Sequence, residues 1–286
     1  MNVIEDIKAK FKNGTIVEQL IYINLGVFLF ALLFSISLSL FKSQSNFIYD
    51  WFSLSQSFDV FTSRPWTIIT YGFLHADFLH ILFNSIVLFY FGRMFLDYFS
   101  PKQLLSFYIL GTFFGGVLFL LSQNYFPLFQ GERSTLVGAS AGISAIVIGI
   151  ATHIPNYQLK LRFLGFVKLW QLAAIFILLD VISLAGNNAG GHFAHLGGAL
   201  FGFLYVSQAS TKKINVFGWI TNQFKTKRKP LRTVHKSKRK PKKKTVSATA
   251  KTLDQKQIDF ILDKISKSGY DTLTKEEKQF LFKQGK

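Results

Sequence analysis

The sequence predicts an all-α, polytopic membrane protein: a bundle of six transmembrane helices followed by a small C-terminal helical hairpin. Three observations carry that expectation. Hydrophobic residues make up 49% of the 286, and aromatic residues 16%. The formal net charge is nevertheless +18, and it is concentrated: residues 212–253 hold 15 Lys and Arg and no acid, whereas residues 1–211 hold 11 basic and 9 acidic residues. Apolar stretches of the length a hydrocarbon core requires recur through the first 210 residues. An apolar body with its charge at one end excludes an ordinary soluble globular protein, and 33 Phe exclude a wholly disordered basic one. The chain has no Cys, which removes disulfides, thiolate nucleophiles and Cys-held zinc or iron–sulfur sites.

Residues 1–19 carry Lys8, Lys10 and Lys12 and precede the first span, Leu20–Phe41, which is 22 residues without a charge. No small-residue cleavage motif follows, so this reads as an uncleaved span rather than a signal peptide. The connector over residues 42–77 contains Trp51, Phe52, Phe58, Phe61, Pro65 and Trp66, a composition suited to the membrane interface, with an ordinary packed loop as the alternative. The remaining spans are Phe78–Leu96, Leu104–Ser122, Leu136–Thr152, Leu169–Ala185 and Gly191–Ser210. An even number places both termini on one side. That side collects Lys8, Lys10, Lys12, Arg93, Lys102, Lys160, Arg162, Lys168 and the cationic segment, against Lys42, Arg64 and Arg133 on the other. The positive-inside rule then puts both termini in the cytoplasm, in a plasma (inner) membrane of bacterial type.

Polar side chains inside spans are costly and are functional candidates. His80 and Asn84 lie one turn apart in span 2, Ser140 and Ser144 in span 4, Asp180 in span 5, and His192 and His195 in span 6. Spans 2, 4 and 6 share a direction, so His80, Ser140 and His195 all fall about one turn from the outer end. Glycines flank Ser140 in Gly138-Ala139-Ser140-Ala141-Gly142 and place it near a helix N-terminus, where free N–H groups favour developing negative charge. Gly198 and Gly202 form a G-x-x-x-G pair that permits close helix contact. A close contact of spans 4 and 6 would let His195 accept the proton of Ser140. The Ser140 N–H, His80 and the Asn84 amide are candidate donors to the oxyanion.

The H-x-x-x-N pair (His80, Asn84), the G-x-S string (Gly138, Ser140) and Ala194-His195-x-Gly-Gly-x-x-x-Gly202 together resemble the rhomboid family of intramembrane serine proteases. The match covers about residues 60–206 and the preceding first span. The resemblance implies Ser140 as nucleophile and His195 as general base in a catalytic dyad, with His80, Asn84 and Gly138 at the oxyanion site. It also implies transmembrane protein substrates, and matches His75 and Trp66. Ala141 stands where a glycine is usual, Ser144 where an aromatic residue stacks on the histidine, and Thr67 where an arginine follows the tryptophan.

Asp180 as a third triad member is set behind a simpler account, pairing with a hydroxyl or amide elsewhere or protonation. His192, nearer the surface, reads as an interfacial residue or a partner supporting His195. Metal ligation by His192 and His195 with His75 or His80 lacks a third-ligand carboxylate and an H-E-x-x-H string, so neither metal nor cofactor is expected. A non-catalytic rhomboid-like protein that binds membrane proteins is the alternative function. Domain 20–210 is followed by a basic linker, 211–253, expected to be disordered. Residues 212–251 are attracted to anionic lipid head groups, and no nucleic-acid recognition fold accompanies them. In 254–286, Ile258, Ile261, Leu262 and Ile265 have helical spacing, Gly269 marks a stop, and Thr274 with Glu277 makes a capping box.

Overall fold

The computed structural model describes residues 3–42, 45–129, 131, 133–162, 165–186, 188–211 and 247–284. Two compact units divide the chain, residues 1–224 and 225–286. In the first, α1 (Val3–Asn13) leads into α2 (Ile16–Leu40). Thr15 and Glu18 close a capping box, with Thr15 N donating to Glu18 Oε2 at 2.7 Å, so the helix starts at Ile16 rather than at the charge-free Leu20. Short helices α3 (Phe47–Phe52), α4 (Phe58–Ser63) and α5 (Thr67–Thr70) form the connector. There follow α6 (Phe78–Leu96), α7 (Pro101–Tyr125), α8 (Ser140–His153), α9 (Leu169–Ile182) and α10 (Ala189–Thr211). Asp77 caps α6 through the His80 N–H, and Ser100, Pro101 and Gln103 begin α7 with a capping box and a first-turn proline.

Among the described residues, α2, α6 and α7 are long and apolar enough to cross a membrane; α8 and α9 are apolar but 14 residues each. The outer face of α2 exposes Phe30 and Leu33 at 66% and 64%, which suits lipid and not water. The fold is mostly helical, as the sequence leads one to expect, with two short strand ladders between helices. Leu54–Ser55 (β1) pairs antiparallel with Thr135–Leu136 (β2), and Gln158–Leu161 (β3) with Gly165–Lys168 (β4). Segments between helices still carry backbone donors and acceptors, and short ladders satisfy them. Leu136, expected as the start of a helix, is therefore strand, and helix begins four residues later at Ser140.

The connector is stitched together by aromatic and backbone contacts. Trp51 and Trp66 stack with centroids 6.0 Å apart, Trp66 Nε1 donates to Trp51 O at 2.8 Å, and the Arg64 guanidinium lies 4.4 Å from the Trp51 ring centre. Tyr49 OH donates to His75 O at 2.7 Å. His75 is buried, with the His80 ring edge-on at 5.1 Å. Asn24, a polar residue in the first apolar stretch that the sequence reading passed over, donates to Tyr108 OH at 3.0 Å, and Tyr108 OH donates to Gly72 O at 2.8 Å. This chain of bonds ties α2, α7 and the connector together.

α8 lies at the centre, buried from Ala141 to Ala151. It packs closely on α7 and α10, which also pack closely on each other, and only sparsely on α9. Glycines make the dense contacts possible. A Cβ on Gly198 would stand 2.0 Å from Ala141 O, and one on Gly202 2.3 Å from Ala145 O. From α7, a Cβ on Gly111 or Gly115 would come within 2.5 Å of the Ala145 or Ala141 Cβ. Small residues on both sides allow backbones to touch, which is how helices adhere where lipid removes the hydrophobic drive.

In the second unit, α11 (Ser247–Ser268) and α12 (Lys275–Gln284) flank Gly269, whose φ of 83° ends α11. Thr274 N donates to Glu277 Oε2 at 2.8 Å, as the capping-box reading expects, and Lys264 Nζ donates to both Glu277 oxygens at 2.9 Å. α11 starts inside the stretch expected as linker, since Ala248, Ala250 and Lys251 are strong helix formers. Residues 212–246 of that linker lie outside the described residues.

Two outcomes follow from this packing. Gly198→Ala forces overpacking against a backbone oxygen and should cost about 1–3 kcal/mol, seen as a lower Tm in detergent, whereas Gly26→Ala, with open space around it, should leave Tm unchanged or slightly raised. Equal Tm values for the two would contradict the packing account. Burial, aided by the neighbouring His80, lowers the pKa of His75 from 6.5 to about 4. Between those values the unfolded chain binds the proton and the folded one does not, so stability falls as pH drops from 6.5 towards 4 by about 3 kcal/mol in total. His75→Phe should flatten that part of the stability curve; a slope as steep as that of the unsubstituted protein would contradict it.

Candidate active site

The approach to Ser140 is fixed before the helix begins. β1–β2 pairing holds Leu136, the Gly138 N–H donates to Tyr71 O at 3.0 Å, and Tyr71 OH donates to Thr112 O on α7 at 2.7 Å. Gly138 has φ +128°, and a Cβ there would meet His80 Nε2 at 2.7 Å and Ser140 Oγ at 3.5 Å. Both the backbone angle and the space therefore require glycine. Ser140 is the first residue of α8, where the opening N–H groups have no acceptor within the helix. Ser144 Oγ donates back to Ser140 O at 2.8 Å and stays inside the helix packing.

The glycine contacts of α10 bring His195 against this end of α8. His195 Nε2 lies 2.7 Å from Ser140 Oγ. On the other side of the ring, His195 Nδ1 lies 2.8 Å from Asp180 Oδ1, and His192 Nδ1 lies 2.7 Å from the same oxygen. A carboxylate can only accept, so both Nδ1 atoms carry the proton. The His195 Nε2 lone pair is then free to accept from the Ser140 hydroxyl. The expectation that Asp180 pairs with a hydroxyl or amide elsewhere is corrected: it faces the two histidines from the last turn of α9. His192 and His195 thus meet at one shared carboxylate oxygen.

α9 supplies a second contact. Phe176, one turn before Asp180, stacks on His195 with centroids 6.3 Å apart and an interplanar angle of 24°. An aromatic ring thus covers the histidine although Ser144 stands at the position where the sequence comparison sought one. The i, i+4 spacing of Phe176 and Asp180 was the available signal, since it puts both on one face.

His80 sits in the first turn of α6 with Nε2 directed at the Gly138–Ser140 turn. Asn84 lies one turn deeper. Its Nδ2 is buried and has no hydrogen-bond partner, and Asn84 packs in the neighbourhood of His75, Asn24, Ala139 and Ile143. Ser140, His195, Gly138 and His80 are therefore brought together, and the Asn84 amide, one turn on from His80, is buried and unpaired. The His192 and His195 side chains are 23% and 20% exposed, against 6% for Asp180. The large cavity of about 960 Å³ between α9, α8 and α10 is apolar, and neither Ser140 nor Asp180, His192 or His195 lines it.

A hydroxyl on a neutral imidazole, itself held by a carboxylate, is the arrangement in which a serine becomes a nucleophile. Comparison with known proteins bears on the family. The chain is 35% identical over 156 residues to RHOMBOID-like protein 12, mitochondrial, of Arabidopsis thaliana, covering 50% of this chain and 46% of that protein. It is 28% identical over 155 residues to Presenilin-associated rhomboid-like protein A, mitochondrial, of Danio rerio, covering 51% and 39%. The human Presenilin-associated rhomboid-like protein, mitochondrial, is 28% identical over 156 residues, covering 51% and 40%. The matched region thus spans less than half the length of each of these relatives. Their names correct the expected bacterial-type plasma membrane with cytoplasmic termini, because these relatives are mitochondrial proteins. Basic residues tell the two sides of a bilayer apart and carry no information about which bilayer it is. Residues 248–283 match a family of unknown function, DUF6576. Residues 62–211, which hold every residue of the site, match the model of the Rhomboid domain, and the chain belongs to the rhomboid family.

Proposed function

We propose that the protein is an intramembrane serine endopeptidase that cleaves transmembrane protein substrates. The observation that carries this reading is the 2.7 Å contact of Ser140 Oγ with His195 Nε2, on an imidazole whose other nitrogen meets Asp180. Ser140 attacks the scissile carbonyl as His195 takes its proton. The tetrahedral oxyanion is met by the free N–H groups at the start of α8 and by His80, whose ring faces that turn, with the Asn84 amide as a further donor. His195 then protonates the leaving amine, and water, activated by the same base, hydrolyses the acyl-enzyme. The one-fifth exposure of the two histidines supports entry of that water. Asp180 orients His195 and stabilises its protonated form; it is a positioning residue.

The wider architecture is part of the same proposal. α2, α6, α7, α8, α9 and α10 are six spans, which leaves both ends of the bundle on the side rich in Lys and Arg. A substrate helix must unwind to present its carbonyl, so helix-weak segments near a membrane boundary are preferred. Residues 212–251 attract anionic lipid head groups, each basic residue contributing about 1 kcal/mol near the surface. The tail is a helical hairpin clamped by Lys264 and Glu277.

The purified full chain in detergent, with a labelled transmembrane substrate, provides the test. Ser140→Ala and His195→Ala should abolish cleavage. Asp180→Asn should lower kcat by on the order of 10²-fold or more with little change in KM, because it upsets the imidazole tautomer without touching substrate. Cleavage by Ser140→Ala at the rate of the unsubstituted protein would contradict the reading and favour a protein that only binds its membrane partners.

A further inference from the structure

The hydrolytic step uses one imidazole, yet two are gathered on Asp180. His192 and His195 are one turn apart on α10 and aim Nδ1 at the same Oδ1, at 2.7 and 2.8 Å. The second carboxylate oxygen, Oδ2, is buried and has no hydrogen-bond partner, on a residue 4% exposed. Ligand atoms from all three side chains lie within 4.8 Å of one another. No H-E-x-x-H string is present, but α9 brings to these histidines a carboxylate that the linear sequence does not place beside them.

We propose that Asp180, His192 and His195 form an inhibitory site for a divalent cation, with zinc as its best occupant. Two imidazole nitrogens and one carboxylate oxygen are a set zinc takes, leaving a fourth position for water. The partial exposure of both histidines gives an entry path, and the vacant Oδ2 gives the carboxylate freedom to bind through either oxygen. The cation displaces the Nδ1–H donors from their shared acceptor. Each neutral imidazole keeps its single proton, which moves from Nδ1 to Nε2, so no net proton is released. His195 Nε2 then carries a hydrogen and cannot accept one from Ser140. The nucleophile is left without its base while the 2.7 Å contact is kept. The inhibitory consequence rests on the hydrolytic reading; the binding itself does not.

The two are separated by titrating Zn²⁺ calorimetrically into the full chain carrying Ser140→Ala, in chelator-free detergent buffer, and by measuring cleavage by the Ser140 form across the same zinc range. One equivalent should bind. Adding His192→Ala or Asp180→Asn should weaken binding by more than about tenfold, whereas His153→Ala, at the far end of α8, should not. Zinc should inhibit the Ser140 form, and His192→Ala should be inhibited far less relative to its own metal-free rate. Absence of zinc uptake, or equal affinity with and without His192→Ala, overturns the site. Uptake that depends on His192 and Asp180 but leaves cleavage unslowed overturns the inhibition. A chain that never cleaves contradicts the hydrolytic reading alone, because the calorimetry still decides the site.

Discussion

Backbone contact between α8 and α10 is what the rest of the site depends on. Gly198 and Gly202 face the carbonyl oxygens of Ala141 and Ala145 with no room for a methyl group. In hydrocarbon, helices gain little by hiding apolar side chains from each other, so adhesion comes from close packing and from the few polar bonds available. Close packing here also determines a distance. With α10 pressed on α8, the imidazole of His195 falls on Ser140; with a larger residue at Gly198 it would be held off by a side chain's width. α7 supports the arrangement through Gly111, which faces α8, and Gly115, which faces both α8 and α10, so the three helices meet at glycine-lined contacts.

α9 plays a different part. It touches the bundle sparsely, yet it brings the carboxylate and the aromatic ring that contact His195. A buried carboxylate without partners would be costly, and two imidazole donors offset that cost. α9 is thereby fastened by polar bonds where the inner helices are fastened by packing. Polar bonds can be exchanged for other partners, a proton or a metal ion among them, in a way that packed methyl groups cannot. The tuning of the site thus resides in its least packed helix.

Much of the site was legible in the sequence because depth in a membrane is a one-dimensional property. The positions of the apolar stretches, with the direction given by Lys and Arg, were enough to align His80, Ser140 and His195. Gly138 was recognisable from its neighbours, although its φ of +128° and its contact with His80 were not. What stayed hidden depends on rotation about helix axes and on partners far along the chain. Asp180 could be placed at a depth, but its face relative to α10 is set by packing, so its pairing with His195 was set behind another account and its pairing with His192 was not foreseen. Asn24 was lost in an apolar run, and Leu136 was counted as helix because periodicity cannot show that Leu54 pairs with it as a strand. The membrane itself was misjudged because charge asymmetry is the same in any bilayer with a basic side.

The account's central claim is that glycine packing of α10 on α8 arms Ser140. It is tested most directly by the rate at which a fluorophosphonate, which needs no substrate binding, labels Ser140, followed by intact mass in the unsubstituted protein, Gly198→Leu and Gly26→Leu at matched helical content. The account predicts rapid labelling of the first and last and little or none of Gly198→Leu. Labelling of Gly198→Leu at the unsubstituted rate would contradict it.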